Sequence, residues 1–258
     1  MSKKNYLKFL IPALLVAFTI GAGLYYFYFV NYEKTLPDNS KASGWIDMSS
    51  NVVLFHFDKN KRFKEFIDKS EKGNNASCPS REKCPKLTSE GKIKGSLEFD
   101  GEDDYLNFKK KIGYGKENLT AVAWVKPKDL SKQRAIFGEY DADFVNGFIF
   151  SITGNNQIKF FDGRSNNYTN ENLVKEDEWQ HIAVTYNGNE NKTLIYYNGN
   201  KIKQFSAVGS LNEGNITTLG SCNIEKESCL FDGKMDEVAL FDKSLSESQI
   251  NKIYNRQK

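Results

Sequence analysis

Residues 179–188 read WQHIAVTYNG, and the same kind of run returns as TLIYYNG at 193–199. In an extended chain successive side chains point to opposite faces. Ile182, Val184 and Tyr186 therefore share one face, and His181, Ala183 and Thr185 share the other. Asn187-Gly188 and Asn198-Gly199 each offer residue types that adopt the positive φ of tight hairpin turns. The stretch predicts a β-hairpin and hence an antiparallel sheet.

Working outward, similar short apolar or alternating runs fill the chain: VVLFHF (52–57), SLEF (96–99), YLNF (105–108), LTAVAWVKP (119–127), AIFGEY (135–140), GFIFSI (147–152), QIKFFD (157–162), ITTLG (216–220) and KMDEVALFD (234–242). Asp-Gly pairs at 100, 162 and 232 punctuate them. Many short strands separated by turns argue for a sandwich or jelly roll. Two stretches read as helix. SLSESQINKIYNRQK (244–258) has Ser244 or Ser246 as a cap and Leu245, Ile250, Ile253 and Tyr254 at helical spacing. KRFKEFIDK (61–69) predicts a single turn or short helix. No internal repeat points to a solenoid or propeller.

Composition agrees with an all-β core. Of 258 residues, 39% are hydrophobic and 14% aromatic, with 19 Phe and 13 Tyr, which pack well on pleated surfaces. The formal charge of only +3, with lysines and acids interspersed, implies no general attraction to nucleic acid.

The N-terminus has its own character. Lys3, Lys4 and Lys8 precede FLIPALLVAFTIGAGLYYFYFV, an uncharged stretch from Phe9 to Val30. As a helix rising about 1.5 Å per residue it spans roughly 33 Å, enough for a hydrocarbon core of about 30 Å. The lysines place its start in the cytoplasm, and the aromatic outer end resembles an interfacial belt. This predicts an uncleaved single-pass anchor. The alternative is a secretory signal cleaved near Thr19, Gly21 and Gly23, whose apolar region is usually shorter. Either reading exports the rest of the chain. Residues 31–47, with Pro37, Asp38, Asn39, Ser40 and Gly44, read as a stalk.

The cysteines fit an oxidising compartment. Cys78 and Cys84 lie close together, as do Cys222 and Cys229, each pair in a polar, turn-rich segment. Two local disulfides are the simplest pairing of the three possible. The spacings are poor for zinc, and no histidine lies nearby.

In order, VVLFHFD, FIDKSEKGNNA, GSLEFDGEDDYLNF, LTAVAWVKP, WQHIAVTYNG, LIYYNGNKI and FDGKMDEVALFDKSLSESQINKIYN resemble the laminin-G-like, concanavalin A-like jelly rolls of secreted and surface proteins. The resemblance covers about 52–256. It implies two antiparallel sheets stacked face to face, one of them concave. It also accounts for Trp124 and Trp179 as structural residues, because the family pattern has tryptophan there too.

Within that resemblance two carboxylate sets gain meaning. Glu98, Asp100 and Glu102 spell E-x-D-x-E, the strand-borne row that β-glucanases of this superfold use. On one strand they would share a face, about 6.5 to 7 Å from one to the next but one, near the separation in retaining glycosidases. Gly101, however, interrupts the strand, and Asp-Gly at this point also fits the start of a turn. Asp68, Ser70, Gly73 and Asn74 form an oxygen-rich loop, and Asp236 occupies a position where similar domains often place a structural calcium ligand. Calcium takes six to eight oxygen ligands, so Asp68, Asn74 and Asp236 are the candidate metal residues. The competing reading is an Asx turn and a locally bonded aspartate.

His56 and His181, the only histidines, have no partners in the sequence that would make a triad or metal site. No phosphate loop or dinucleotide fingerprint is present. Asn75, Asn118, Asn167, Asn191 and Asn215 begin N-x-S/T sequons.

The sequence thus predicts an all-β protein in three parts: 1–32 as cytoplasmic N-terminus and transmembrane anchor, 33–47 as linker, and 48–258 as a two-sheet jelly roll ending in a short helix. The expected function is a single-pass surface protein that displays a lectin-like module for carbohydrate or a protein partner. Its rivals are an anchored glycoside hydrolase using Glu98, Asp100 and Glu102, and a purely structural or adhesion domain.

Overall fold

The computed structural model describes residues 48–58, 65–141, 146–207, 209–223 and 229–258. The anchor and linker expected over 1–47 lie outside the described residues. Among the described residues no helix is long and apolar enough to cross a membrane.

After a 3-10 turn at Met48–Ser50, the strands are β1 (Asn51–Phe55), β2 (Glu65–Phe66), β3 (Ala76–Ser77), β4 (Lys86–Ile93), β5 (Gly95–Asp100), β6 (Leu106–Phe108), β7 (Asn118–Pro127) and β8 (Arg134–Tyr140). Next come β9 (Gly147–Ile152), β10 (Ile158–Phe161), β11 (Asn166–Tyr168), β12 (Gln180–Asn187), β13 (Lys192–Tyr197), β14 (Asn200–Phe205), β15 (Thr218–Leu219), β16 (Asp232–Phe241) and a helix, α1 (Glu247–Gln257).

The first sheet runs β14-β13-β12-β7-β16-β5-β4, with β1 also paired to β16; the second runs β11-β10-β9-β8-β15-β6-β3-β2. The pairings are antiparallel. The architecture is the expected all-β sandwich with a C-terminal helix. β16 lies inside the first sheet, flanked by β7 on one side and by β1 and β5 end to end on the other.

The alternation of the strands builds the core. Ile182, Val184 and Tyr186 of β12 meet Phe148, Phe150, Ile152, Ile158 and Phe160 of the second sheet in one buried cluster. Fully burying one such side chain contributes about 1.5 to 3 kcal/mol, and this cluster is the main stabilising mass. The other face of β12 is buried too, because α1 covers it. Ala183 packs with Val122, Tyr196, Phe241, Leu245, Ile250 and Ile253. Ser246 caps α1 in a reciprocal box with Gln249.

Three local expectations are corrected. Asn198-Gly199 makes the tight turn, both residues at positive φ (48° and 77°) between the paired Tyr197 and Asn200. Asn187-Gly188 does not. The hairpin closes on the Asn187–Lys192 pair, the Asn187 side chain accepts from Glu190 N at 2.9 Å, and Asn191 takes the positive φ of 53°. Gly188 is required for a different reason: a Cβ there would stand 1.6 Å from Gly209 O. Within 61–69, Glu65 and Phe66 are strand rather than helix, since they pair with Ser77 and Ala76. Finally β4, β11 and β14 were not foreseen, because their polar sequences belong to edge strands or to strands with a wet face.

Candidate functional site

α1 closes the part of the first sheet's outward face formed by β7, β12, β13 and the end of β16, while that face of β4 and β5 stays exposed. Trp124 Nε1 donates to Gln257 Oε1 (3.0 Å), Gln257 Nε2 donates to Glu237 Oε2 (2.9 Å), and Glu237 Oε1 bonds His56 Nδ1 (2.8 Å). Tyr254 stacks on Trp124 with centroids 5.6 Å apart. His181 lies against both rings, fully buried, and neither of its ring nitrogens has a hydrogen-bond partner. Burial pulls its pKa down to about 3, so the imidazole is neutral. The Glu237 bond, by contrast, raises the pKa of His56. Trp124 is thus committed to holding the helix and is not available to a ligand. Trp179 is half-buried.

The E-x-D-x-E motif does not form a row. β5 ends at Asp100, Gly101 turns with φ of 76°, and Glu102 N folds back to donate to Asp100 Oδ1 (2.9 Å). Glu98 and Asp100 point outward from the first sheet, exposed, while Glu102 has left the strand. The row of three carboxylates is therefore broken at Gly101, with Glu98 and Asp100 on the strand and Glu102 off it. Asp100, Asp103 and Asp104 do approach one another, with ligand atoms within 4.8 Å. Yet Asp100 Oδ1 also accepts from Asp103 N (3.3 Å), and Asp104 Oδ2 accepts from Asp100 N (3.1 Å). Burial, then the charge of Asp100, pushes Asp104 up to about 6.

The candidate calcium residues serve local hydrogen bonds. Asp68 Oδ1 accepts from Leu54 N (2.9 Å) and Ser70 N (2.8 Å); its Oδ2 accepts from Ser70 Oγ (2.6 Å) and Asn74 N (2.9 Å). Asn74 Nδ2 donates to Val52 O. These groups fasten their loop to β1. Asp236 instead accepts from Ile93 N and Glu237 N, both at 2.8 Å, which fastens β4 to the bulge in β16. Burial raises its pKa to about 7. Each Asp68 oxygen already accepts two bonds, whereas each Asp236 oxygen accepts one and Asn74 Oδ1 is buried without a hydrogen-bond partner, so Asn74 and Asp236 keep oxygen lone pairs that a cation could use. The bonds from Ser70 to Asp68 are those of an Asx turn.

Both disulfides join as the simplest pairing predicts, Cys78 to Cys84 and Cys222 to Cys229. The second begins over β8. A Cβ on Gly138 would meet Ser221 O at 2.4 Å and Cys222 O at 2.5 Å, so glycine there lets the segment lie close on the sheet.

That placement defines the outward face of the second sheet. Since Phe148, Phe150, Ile152, Ile158 and Phe160 point into the core, alternation sends Ile149, Ser151, Lys159 and Phe161 outward. Register aligns them in two rows. Ala135 pairs with Ser151, Ser151 with Lys159, and Lys159 with Tyr168; alongside, Gly138 pairs with Ile149, Ile149 with Phe161, and Phe161 with Asn166. Toward β8 the face is an apolar floor of Ala135, Tyr140, Ile149, Phe161 and Cys222, with Tyr140 and Phe161 edge to face at 5.2 Å. Toward β11 it opens, and Tyr168 is 37% exposed.

The open end is polar and pre-arranged. Gln133 Nε2 donates to Ser151 Oγ (3.2 Å), and the half-buried Lys159 Nζ donates to Gln133 Oε1 (3.4 Å) while standing 5.7 Å from the Tyr168 ring centroid. Burial lowers the Lys159 pKa below the usual lysine value. The sequence contained the signal for this site, the alternation of GFIFSI and QIKFFD. It did not reveal which sheet face remains open.

An aromatic ring beside hydrogen-bonding side chains, on the open face of a jelly roll, is the construction of a lectin-like protein. The sequence model described as the concanavalin A-like lectin/glucanases superfamily matches residues 100–251, more than half of the chain, and the chain belongs to that superfamily. No curated protein matches it. Among solved structures, the binding domain of Paraclostridial Mosquitocidal Protein 1 has a TM-score of 0.62 at 14% identity, over 81% of this chain and 52% of that one. Domain 4 of AbnA, a GH43 extracellular arabinanase from Geobacillus stearothermophilus, in complex with arabinotriose, has 0.62 at 16%, over 80% and 98%. The Botulinum neurotoxin serotype D ligand binding domain in complex with N-acetylneuraminic acid has 0.61 at 15%, over 81% and 52%. At such identities the likeness establishes the fold. The chain spans about half the length of these toxin binding domains.

Proposed function

We propose that residues 48–258 form a carbohydrate-binding module, held outside the cytoplasm by the apolar segment Phe9 to Val30, and that sugar binds where the outward face of the second sheet opens at β10 and β11. The observation that carries this reading is the pair Lys159 and Tyr168, where one exposed aromatic ring stands beside an amine bonded to the Gln133 amide. Sugars present CH-rich faces to rings and hydroxyls to such polar groups. The neighbouring folds support it in kind: one was solved with arabinotriose and one with N-acetylneuraminic acid. The test is a glycan array probed with the full chain in detergent micelles. Wild type binds a defined set of sugars, and Tyr168→Ala loses that signal by tenfold or more while melting normally. Equal binding by Tyr168→Ala would move the site elsewhere. For the anchor, alkaline extraction of membranes leaves the chain in the pellet; release into the supernatant would favour a cleaved signal.

A further inference from the structure

Among the described residues, the second-sheet face contains a cation with no anion beside it. Lys159 projects outward from β10 between Ser151 and Tyr168, half-buried, and among the described residues it forms no salt bridge. Its neighbours in the rows are neutral: Ala135, Ser151, Ile149, Phe161, Asn166 and Tyr168. One amine proton goes to Gln133 Oε1 and one side faces the Tyr168 ring, which leaves donor capacity directed away from the sheet. Arg164, in the loop after β10, is turned to Ser210 O (3.0 Å) and Asn212 Oδ1 (2.8 Å) instead.

Removing an ammonium from water without an opposite charge is costly, and a solvated lysine on a strand has ample room to avoid it. Here Gln133 and Tyr168 hold the amine close to the sheet. We infer that this site takes a sugar bearing a single carboxylate, a uronic or sialic acid, with the carboxylate on Lys159 Nζ and the ring on Tyr168. A single cation among neutral hydrogen-bonding groups suits a singly charged ring with free hydroxyls. A polysulfated chain would leave its remaining charges unmatched on this face. The inference rests on the reading of the face as a sugar site and specifies its chemistry.

The test uses the full chain in micelles and calorimetric titration with methyl galacturonide, methyl glucuronide and N-acetylneuraminate, each beside its neutral methyl ester. At least one acid is expected to bind tenfold or more tightly than its ester, with affinity falling as NaCl rises. Lys159→Met should abolish the difference between acid and ester, Lys159→Arg should retain most of it, and near-ultraviolet circular dichroism should show both variants folded. Equal binding of acids and esters, or an acid preference that survives in Lys159→Met, overturns the inference while leaving a sugar site intact. Preference for a sulfated over a carboxylated glycan on the array also overturns it. Binding of no glycan at all sinks the functional reading together with it.

Discussion

His181 shows how much one buried residue can set. Both ring nitrogens are without partners beneath α1, and burial moves the pKa from 6.5 to about 3. The unfolded imidazole takes a proton below about pH 6.5 and the folded one does not until about pH 3. Stability that is present above pH 6.5 is therefore lost as pH falls toward 3. His181→Leu removes the titration and the two unpartnered nitrogens, so it should stabilise by about 1 to 2 kcal/mol at neutral pH and by more at pH 5. Melts of wild type and variant at pH 7.5 and pH 5 check this, and an identical gap at the two pH values would refute it. Gly188 makes a second case. Its missing Cβ admits Gly209 O, so Gly188→Ala should cost about 2 to 4 kcal/mol in denaturant unfolding, more than Asn187→Ala, which loses one turn bond worth about 1 kcal/mol. At this scale the sequence was only partly legible. Asn198-Gly199 announced its turn, but the identical Asn187-Gly188 pair conceals a backbone approach from a loop twenty residues away in sequence, which no local pattern encodes.

Among the elements, legibility followed burial. β7, β9, β12 and β16 were evident from their sequences because apolar side chains alternate or run continuously where both faces are covered. β4, reading KLTSEGKI, was missed because it is an exposed edge strand, where charge protects against pairing with other chains. The candidate site divides the same way: Tyr168 lies on β11, whose NNY sequence carries no strand signal, and the assignment of Lys159 to an open face depended on which sheet α1 covers. The disulfide beside that face is the element most open to direct trial. Replacing both Cys222 and Cys229 with serine releases a short loop, and the chain-entropy relation gives a loss of about 2 to 3 kcal/mol. Urea titration measures it; an unchanged midpoint would show that packing over Gly138 alone holds the segment.

For the molecule as a whole, the jelly roll was readable from motif order because a two-sheet sandwich constrains every strand at once. Motif order does not decide the expected calcium, since an oxygen-rich loop looks the same whether its carboxylate meets calcium or backbone N–H groups. With each Asp68 oxygen already accepting two bonds, the melting midpoint should be the same with and without a calcium chelator. A fall of several degrees in chelator would mean that an ion binds and that these bonds rearrange around it.

β16, last strand in the chain, pairs with β1, β5 and β7, and Asn51 finds Phe241 as its partner. Such distant pairings form slowly, because the intervening loop must close before contacts reward it. The first sheet therefore cannot be complete before β16 has been made. For the export proposed above, this order keeps the sandwich incomplete until its central strand has followed the rest of the domain. A ribosome-stalled chain ending before Asp232 should be cleaved readily by protease, and one extended beyond Gln257 and clear of the exit tunnel should resist.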